Sequence, residues 1–365
     1  MIPMVDLKRQ YADLKAHIDR ALSEVLESTH FILGPNVTAL EKEISDYHGV
    51  PDAIGVANGT DALRLALKAC GIGAGDEVIT TPFTFIATAE VILDVGATPV
   101  FVDVTPDTFN LDPSKVEASI TDRTRAIIPV HLFGHPAPMD AIMGLAAKYD
   151  LRVIEDCAQA FGATFEDQMV GTFGDYGCYS FFPSKNLGCY GDGGMVIVKD
   201  GGMAEQIRML RNHGSSKQYH HGVMGYNSRL DEIQAAILRI KLKSIDQMNA
   251  DRRRNARLYG EHICHPEITL PYEAPGCKHV YHQFTLRCRR RDAIMARLKE
   301  NRVAAALYYP VPLHRQKIFT ATAAAEEKLP ISEALSQDVV SLPMFPELTE
   351  GEIIKIARII NAALR

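Results

Sequence analysis

The sequence predicts an α/β protein with a mostly parallel sheet, and three observations support this fold class. Between residues 50 and 200, short β-branched runs alternate with stretches whose apolar residues recur at intervals of three and four. Alternating strands and helices place a parallel sheet between two layers of helices. The chain has 365 residues, 47% of them hydrophobic, which suffices for a large core and suggests two domains.

Seven runs are predicted to be strands of one sheet, with helices between the earlier ones. The strands are 53–57, 76–81, 98–104, 125–131, 151–157, 177–182 and 194–198, and the helices include 61–70, 87–96 and 139–150. The last two strands are not separated by a helix of normal length. We therefore expect a hairpin or an antiparallel strand at that end of the sheet.

The remainder of the chain predicts a second, smaller α/β domain. Residues 228–263 carry one apolar stripe over many turns, which predicts a single long helix leading out of the first domain. This domain contains the runs "HQFTLRC" (282–288) and "VAAALYYPV" (303–311) and helices at 291–301 and near 350–364. The predicted division is a large domain, residues 1–245 including the N-terminal segment, and a small C-terminal domain, residues 246–365.

Composition excludes several classes of protein. The net charge of −6 and the pI near 6.1 argue against a nucleic-acid-binding surface. The seven cysteines are scattered and odd in number, so neither a disulfide framework nor a zinc site is indicated. The sequence also lacks an HExxH motif, which argues against a metal site built from histidines. The N-terminus lacks an apolar signal core, and no uninterrupted apolar run of about 18 residues occurs. We expect a cytoplasmic protein without a membrane segment or a metal.

Two polar residues at predicted strand ends are the first candidates for chemistry. Asp156 closes the strand 151–157, and Lys185 lies in the stretch "SFFPSKNLGCYGDGGMVIV" (180–198). Ligands of open α/β sheets bind beyond the carboxyl ends of the strands, so both residues are predicted to face one crevice. The simpler alternatives are a helix cap for Asp156 and a solvated loop position for Lys185.

The segment "VANGTDALRLAL" (56–67) is a candidate phosphate site. A strand runs into Gly59, Thr60 and Asp61 and then a helix, whose free N–H groups attract anions. The alternative is that Thr60 or Asp61 only caps the helix. A phosphate cradle, a strand-end acid and a glycine-flanked lysine together suit pyridoxal 5'-phosphate (PLP). The lysine binds its aldehyde, and the acid keeps its ring nitrogen protonated.

Six motifs closely resemble the sugar aminotransferases of the DegT/DnrJ/EryC1/StrS family. They are "NGTDAL", "TPFTFIATA", "VIEDCAQAFGA", "GDYGCYSFFPSKNLGCYGDGGM", "RNHG" and "GYNSRLDEIQAAIL", and the match extends from "VDLKRQY" to "SLPMFP". The resemblance implies fold type I, the aspartate aminotransferase fold, with a large domain around a mostly parallel seven-stranded sheet. It also implies a homodimer with active sites at the subunit interface.

The resemblance assigns roles to individual residues. It makes Lys185 the cofactor-bearing lysine and Asp156 the partner of the ring nitrogen. The remaining cofactor positions are Gln159 near the ring hydroxyl, Phe85 on the ring face, Gly59, Thr60, Asp61 and Ser180 at the phosphate, and Asn227 reaching the phosphate of the other subunit. For Phe85, a place in the core is the alternative.

The implied reaction moves an amino group from L-glutamate to a nucleotide-linked keto-sugar. Candidate substrate-binding residues are Arg229, His213, Tyr309 and His314. The form "GYNSRLDEIQAA" favours a 3-keto over a 4-keto sugar, and Arg229 could pair with the carboxylate of glutamate or of a 3-keto uronic acid. Open alternatives are a salt bridge for Arg229, a 4-keto substrate, a PLP-dependent dehydratase, a regulatory homologue, and a desulfurase that uses Cys189.

Overall fold

The computed structural model describes residues 1–319 and 328–365 and contains a seven-stranded main sheet between helices, which confirms the predicted fold class. Its strands are β1 (Asp52–Val56), β2 (Glu77–Thr80), β3 (Thr98–Phe101), β4 (Thr124–Ile128), β5 (Arg152–Asp156), β8 (Tyr176–Ser180) and β9 (Gly194–Val198). The shorter strands are β6 (Thr164–Phe165), β7 (Gln168–Met169), β10 (Ser215–Lys217), β11 (His220–His221), β12 (Cys277–Lys278), β13 (Phe284–Arg287) and β14 (Val339–Leu342).

The α-helices of the described residues surround this sheet and continue into the C-terminal part. They are α1 (Leu7–Ser28), α2 (Pro35–His48), α3 (Gly59–Ala69), α4 (Ala87–Asp94), α5 (Pro113–Val116), α6 (Met139–Tyr149), α7 (Gly201–Arg211), α8 (Glu232–Leu242), α9 (Ile245–His262), α10 (Arg291–Glu300), α11 (Pro330–Asp338) and α12 (Glu350–Ala363). Within residues 1–319 and 328–365, no helix combines the length and apolar character that crossing a bilayer requires.

The strand order of the main sheet is β1-β9-β8-β5-β4-β2-β3, and β9 alone runs antiparallel to its neighbours. This confirms the antiparallel strand expected from the sequence. The connection at 181–193 holds no helix among the described residues, so β9 returns beside β8 instead of crossing over in parallel. Lys185 lies in this connection.

Alternate residues of the strands point into cores on opposite faces of the sheet. Ile154 packs with apolar residues of α3 and α7, whereas the preceding Val153 packs with apolar residues of α6. Helices α2 and α8 contribute to a third core beside β9. Burial on both faces explains why the strands read as continuous apolar runs.

The prediction of a single long helix over residues 228–263 is wrong. The chain forms α8 and α9, separated at Lys243 and Ser244, and α8 begins only after Asp231, whose side chain accepts the N–H of Gln234 at 2.8 Å. The two helices pack on different partners, α8 on α1 and α2, and α9 on α12. The apolar stripe continues across the break because each helix presents its own buried face, so periodicity did not reveal the break.

The C-terminal part has its own core around the antiparallel pair β13 and β14 and the helices α9, α10 and α12. Ile2 joins this core, and its backbone pairs with Val303 in an isolated parallel bridge. The N-terminal segment, assigned by sequence to the large domain, therefore begins by packing on C-terminal residues. The boundary between residues 245 and 246 stays a prediction.

Candidate active site

A cavity of about 330 Å³ lies where β5 and β8 end and α3 begins. Eight of the residues predicted from the sequence line it together: Gly59, Thr60, Phe85, Asp156, Gln159, Ser180, Lys185 and Tyr309. The parallel sheet explains this convergence, because the carboxyl ends of β5 and β8 share one edge. Residues from distant parts of the sequence thereby form one wall.

Asp156 is the last residue of β5 and is 6% exposed. The Thr88 hydroxyl donates to its Oδ2 at 2.8 Å, and the Ala158 N–H donates to its Oδ1 at 3.1 Å. Burial raises the pKa of this carboxyl, and the two donors and the Lys185 charge oppose that rise only in part. In residues 1–319 and 328–365, Asp156 forms no ion pair, so the acid retains capacity for a cationic N–H.

Glu155 precedes Asp156 on the strand and points to the opposite face. Its carboxylate accepts four N–H groups: His131 Nε2 and the backbone of Gly171, Phe173 and Gly174, at 2.6–3.0 Å. His131 Nδ1 accepts the Ala137 N–H at 2.9 Å, so the proton lies on Nε2. Although His131, Glu155 and Cys157 lie close enough to hold a metal, the histidine and carboxylate are already hydrogen-bonded within the protein. We interpret the cluster as support for the end of β5.

Lys185 follows a tight turn after β8. Its backbone N–H donates to Phe182 O at 2.8 Å, and a Cβ on Gly188 would lie 2.5 Å from Pro183 O, so only glycine fits there. Helix α8 holds the far side of the turn: Lys241 Nζ donates to Gly188 O at 2.6 Å, and Gln234 accepts the Tyr190 N–H at 2.9 Å. The glycines therefore allow the turn, and α8 fixes it.

The amine of Lys185 differs from that of an exposed lysine. Burial lowers its pKa from 10.5 to about 8, and the Asp156 charge opposes this only in part. Across residues 1–319 and 328–365, no hydrogen bond or ion pair engages this amine. It faces the cavity as a nucleophile that exists in both protonation states near neutral pH.

The start of α3 lies directly against β8. Asn58 Oδ1 accepts the N–H of Asp61 at 2.8 Å, which leaves the N–H groups of Gly59 and Thr60 at the first turn for an anion. A Cβ on Gly59 would lie 2.6 Å from the Ser180 Cβ, so glycine is required for this approach. The Ser180 side chain borders the same part of the cavity.

Gln159 and Tyr309 join the large sheet to the C-terminal part across the cavity. Gln159 Oε1 accepts the Phe133 N–H at 2.6 Å, and its Nε2 donates to the Tyr309 hydroxyl at 3.1 Å. Burial raises the pKa of Tyr309 well above its ordinary value of 10, so the hydroxyl keeps its proton. Phe85 lies on the wall and is 57% exposed, so it is not a core aromatic residue.

Comparison with known proteins agrees with this geometry. The model of the DegT/DnrJ/EryC1/StrS aminotransferase family matches residues 12–361. The chain belongs to this family. The resemblance found in the sequence motifs is thus confirmed, and the protein is an aminotransferase.

Individual relatives match over nearly their whole length. The chain is 52% identical to UDP-N-acetyl-3-dehydro-alpha-D-glucosamine 3-aminotransferase of Acidithiobacillus ferrooxidans, covering 100% of this chain and 98% of the relative. It is 45% identical to UDP-2-acetamido-2-deoxy-3-oxo-D-glucuronate aminotransferase of Pseudomonas aeruginosa, covering 100% and 99%. The crystal structure of S. venezuelae DesV in complex with a ketimine intermediate superposes with a TM-score of 0.97 at 43% identity, covering 100% and 99%.

The cofactor of this aminotransferase is PLP, as the sequence predicted. The residues present fit it. The cavity offers an amine with a lowered pKa, a buried acid that forms no ion pair with the described residues, and a helix start whose approach to Ser180 requires glycine. An aldehyde, a ring nitrogen and a phosphate need these three groups.

Five predicted site residues do not line the cavity of this chain. The Asp61 carboxylate pairs with Arg64, and His314 Nε2 lies 3.0 Å from Glu333 Oε1. His213 and Asn227 are exposed beside α7, and Arg229 donates to Asn212 at 3.0 Å. The last three could only act on the active site of another subunit, so their predicted roles depend on the homodimer.

Twelve residues that line the cavity were not selected from the sequence, and they include the polar side chains of Asp192, His282, Gln283 and Tyr308. Asp192 lies within a motif that was quoted for the resemblance, and Tyr308 lies within the apolar run 303–311 of the C-terminal domain. His282 and Gln283 come from the run 282–288, which the sequence assigns only to the C-terminal domain. Their place depends on how the C-terminal part docks on the sheet, and local sequence carries no signal for that.

Cys189 does not suit a desulfurase. Its side chain is completely buried, and its Sγ lies 3.0 Å from Phe181 O and 3.1 Å from Gly191 O, so either carbonyl can accept the single thiol proton. Burial raises the pKa of this thiol to about 11, which keeps it protonated at neutral pH. A buried, protonated thiol is the opposite of the mobile thiolate that desulfuration requires.

Proposed function

We propose that this aminotransferase moves the amino group of L-glutamate to a UDP-linked 3-keto sugar, giving a nucleotide-activated 3-amino sugar. The observation that carries the proposal is the joint placement of Lys185 and Asp156 on one cavity wall beside the start of α3. The two relatives at 52% and 45% identity are named for UDP sugars with a keto group at carbon 3. Their names support the sugar class and the position of the keto group.

The proposal assigns proton transfer to Lys185. PLP, when bound, supplies an aldehyde that takes the amino group and a ring that accepts electrons. Lys185 Nζ takes a proton from the amino-bearing carbon of the donor in the first half of the reaction. In the second half, it delivers a proton to the former keto carbon of the sugar. Its pKa of about 8 suits this exchange, because both protonation states are populated near neutrality.

The other cavity residues are proposed to hold and orient the cofactor and the substrate. We propose that Asp156 accepts the ring N–H, that Gly59, Thr60 and Ser180 bind the phosphate, and that Phe85 covers the ring face. Gln159 is proposed for the ring hydroxyl and Tyr309 for the substrate, since the two are hydrogen-bonded to each other. Burial raises the pKa of Asp156 because the carboxylate is destabilised there, and a cationic ring N–H would stabilise it.

We further propose a cytoplasmic homodimer that shares its active sites. Phe31, Phe85, Phe182 and Met224 are large apolar residues that are 41% or more exposed in the single chain. Asn227 and Arg229 are proposed to reach the partner's phosphate and substrate. All seven cysteines carry free thiols, which is consistent with a reducing compartment. Light scattering should give twice the 40.3 kDa chain mass.

The reverse reaction tests the substrate, because amino sugars are more stable than keto-sugars. Purified PLP-loaded protein is mixed with 2-oxoglutarate and a UDP-linked 3-amino sugar, and L-glutamate is measured by mass spectrometry. We expect glutamate with the 3-amino sugar, much less with the matched 4-amino isomer, and none with Lys185→Ala. Faster turnover of the 4-amino isomer would contradict the 3-keto proposal, and dTDP- and GDP-linked sugars test the nucleotide.

A 3-keto uronic acid is a second candidate substrate. The Arg229 Nε is buried without a hydrogen-bond partner in the described residues, and its Nη1 donates only to Asn212. Such a guanidinium has capacity for a carboxylate, and the relative at 45% identity is named for an oxo-glucuronate. Preference for a UDP-linked 3-amino uronic acid over the neutral sugar, lost in Arg229→Gln, would support this candidate.

A further inference from the structure

His282 is a cavity residue with a restrained orientation. It precedes β13, is 4% exposed and lines the wall beside Lys185. Its ring Nδ1 lies 3.1 Å from Asn186 Oδ1, so it contacts the residue that directly follows Lys185. The same short segment therefore carries the reactive amine and holds this imidazole.

The hydrogen bonds around Asn186 fix the tautomer of His282. Asn186 Nδ2 donates to Asn249 Oδ1 at 2.8 Å and to Val280 O at 3.1 Å. Asn249 is itself oriented, because its Nδ2 donates to Phe161 O at 3.0 Å. Asn186 must then present its oxygen to the imidazole, and only a protonated Nδ1 can donate to that oxygen.

The other ring nitrogen of His282, Nε2, is an acceptor without a strong hydrogen-bond donor among the described residues. With the proton on Nδ1, Nε2 carries a lone pair, and its one hydrogen-bond contact among the described residues is to Gln283 Nε2, at the long distance of 3.4 Å. Burial lowers the pKa of His282 well below 6.5, and the charges of Lys185 and Arg252 and the nearby His279 act in the same direction. The imidazole is therefore neutral at neutral pH.

The amine of Lys185 is the matching donor. It forms no hydrogen bond within residues 1–319 and 328–365, and its charge acts on His282. The half-buried amine and the buried imidazole thus line one cavity, and neither has a strong hydrogen-bond partner among the described residues. Both residues line the same cavity, and the flexible four-carbon stem of the lysine lets its amine turn within that cavity.

We propose that His282 is a positioning residue whose Nε2 accepts a hydrogen bond from the Lys185 amine whenever that amine is not bound to the cofactor. This deepens the proposed function, on which its role in amino transfer rests. The hydrogen bond holds the freed amine beside the reacting carbon and stabilises its protonated form. Asn186 and Asn249 act behind it by keeping Nε2 free of a proton.

The test measures the Lys185 amine in the cofactor-free, full-length protein. Trace acylation over a pH series around 8 is followed by mass spectrometry of the peptide that contains Lys185. We expect His282→Leu to lower the pKa of Lys185, so that labelling below that pKa rises about three- to tenfold, which corresponds to roughly half to one pKa unit. His282→Gln can place an oxygen near the Nε2 position, and we expect it to restore most of the wild-type profile.

A matched control separates this effect from a loss of packing. His48→Leu makes the same substitution at another buried histidine, which packs on Phe161 and Tyr179 and does not line the cavity. It should leave the Lys185 profile unchanged. Identical profiles for wild type and a folded His282→Leu, or a His282→Gln profile equal to that of His282→Leu, would overturn the proposal.

The outcome is independent of the sugar substrate. Labelling of Lys185 needs no amino transfer. The absence of turnover with nucleotide sugars would therefore count against the proposed function without contradicting the hydrogen bond between Lys185 and His282. In the PLP-loaded protein, we expect His282→Leu to lower kcat more than it raises KM for L-glutamate, because the contact is to Lys185 and not to the substrate. An effect confined to KM would also contradict the positioning role.

Discussion

The cavity wall and the polar layer behind it contain the same pair of residue types, a lysine and a carboxylate, in opposite bonding states. Behind the wall, Glu155 accepts four N–H groups, and Lys241 donates to Gly188 O and lies 4.2 Å from the centre of the Tyr190 ring. On the wall, Asp156 accepts two neutral donors.

Burial does not explain this difference, since all four residues are at least partly buried and the pKa of both lysines is lowered to about 8. The difference lies in unused hydrogen-bonding capacity. A polar group whose capacity is filled within the fold stabilises the fold, and one whose capacity is left open is available to a ligand. Substitutions in the two layers should therefore separate activity from stability.

The largest effect is expected for Lys185→Ala. Removing the amine removes the group that binds the cofactor aldehyde and moves the proton, so amino transfer should fall by about a thousandfold or more. The visible absorbance of bound PLP should be lost as well. Lys241→Met, which removes a buried lysine behind the wall, should retain that absorbance. Its loss in both variants would show that the two layers are not functionally distinct.

Asp156→Asn should reduce kcat by about a hundredfold, because an amide cannot stabilise a protonated ring nitrogen as a carboxylate does. Its effect on folding should be opposite. The folded pKa of Asp156 is raised, so its contribution to stability is full below the unfolded pKa and is lost as pH rises towards the folded value. At pH 7 the cofactor-free variant should unfold in urea at the same or a higher concentration than wild type.

Glu155→Gln should show the reverse pattern. An amide would turn an NH₂ group towards N–H donors and leave buried groups unpaired, at a cost of about 3 kcal/mol in the free energy of unfolding. Urea unfolding of the cofactor-free protein measures this loss. In the remaining folded protein, PLP should still bind. If Glu155→Gln lowered kcat at unchanged stability, the assignment of Glu155 to support would be wrong.

The last effect concerns the pH dependence of stability. Lys241 has a folded pKa of about 8 against an ordinary value of 10.5, so the unfolded chain binds more protons between these values and stability rises with pH there. This rise should be of the order of 3 kcal/mol for a full shift. Lys241→Met should remove the part due to this residue. An unchanged pH dependence of urea unfolding in Lys241→Met would show that Lys241 titrates normally.

Much of the fold and of the wall could be predicted from sequence, for identifiable reasons. All seven main strands match predicted runs, because burial on both faces of a parallel sheet leaves apolar segments bounded by turns. Asp156 could be chosen because it ends such a segment, and Lys185 because it follows one. The break at Ser244 was missed, since two helices with separate buried faces give the same periodicity as one.

Other features depended on parts of the chain that lie far apart in sequence. His282 is 97 residues from Lys185, and nothing near it in the sequence indicates that Asn186 fixes its tautomer. Asp61, Arg229 and His314 are found on paired or outlying positions of the single chain. Their distance from the cavity follows from side-chain partners that sequence spacing does not identify.

The sequence by itself determined the α/β class, the family, the cofactor and the strand-end residues, because these follow from local periodicity and from short motifs with defined chemistry. Only the tertiary structure decided which of the buried polar groups use their full hydrogen-bonding capacity within the fold and which have capacity left for a ligand. That decision depends on distances of a few tenths of an ångström between residues brought together by packing, and two adjacent acids such as Glu155 and Asp156 are alike until the strand turns them to opposite faces.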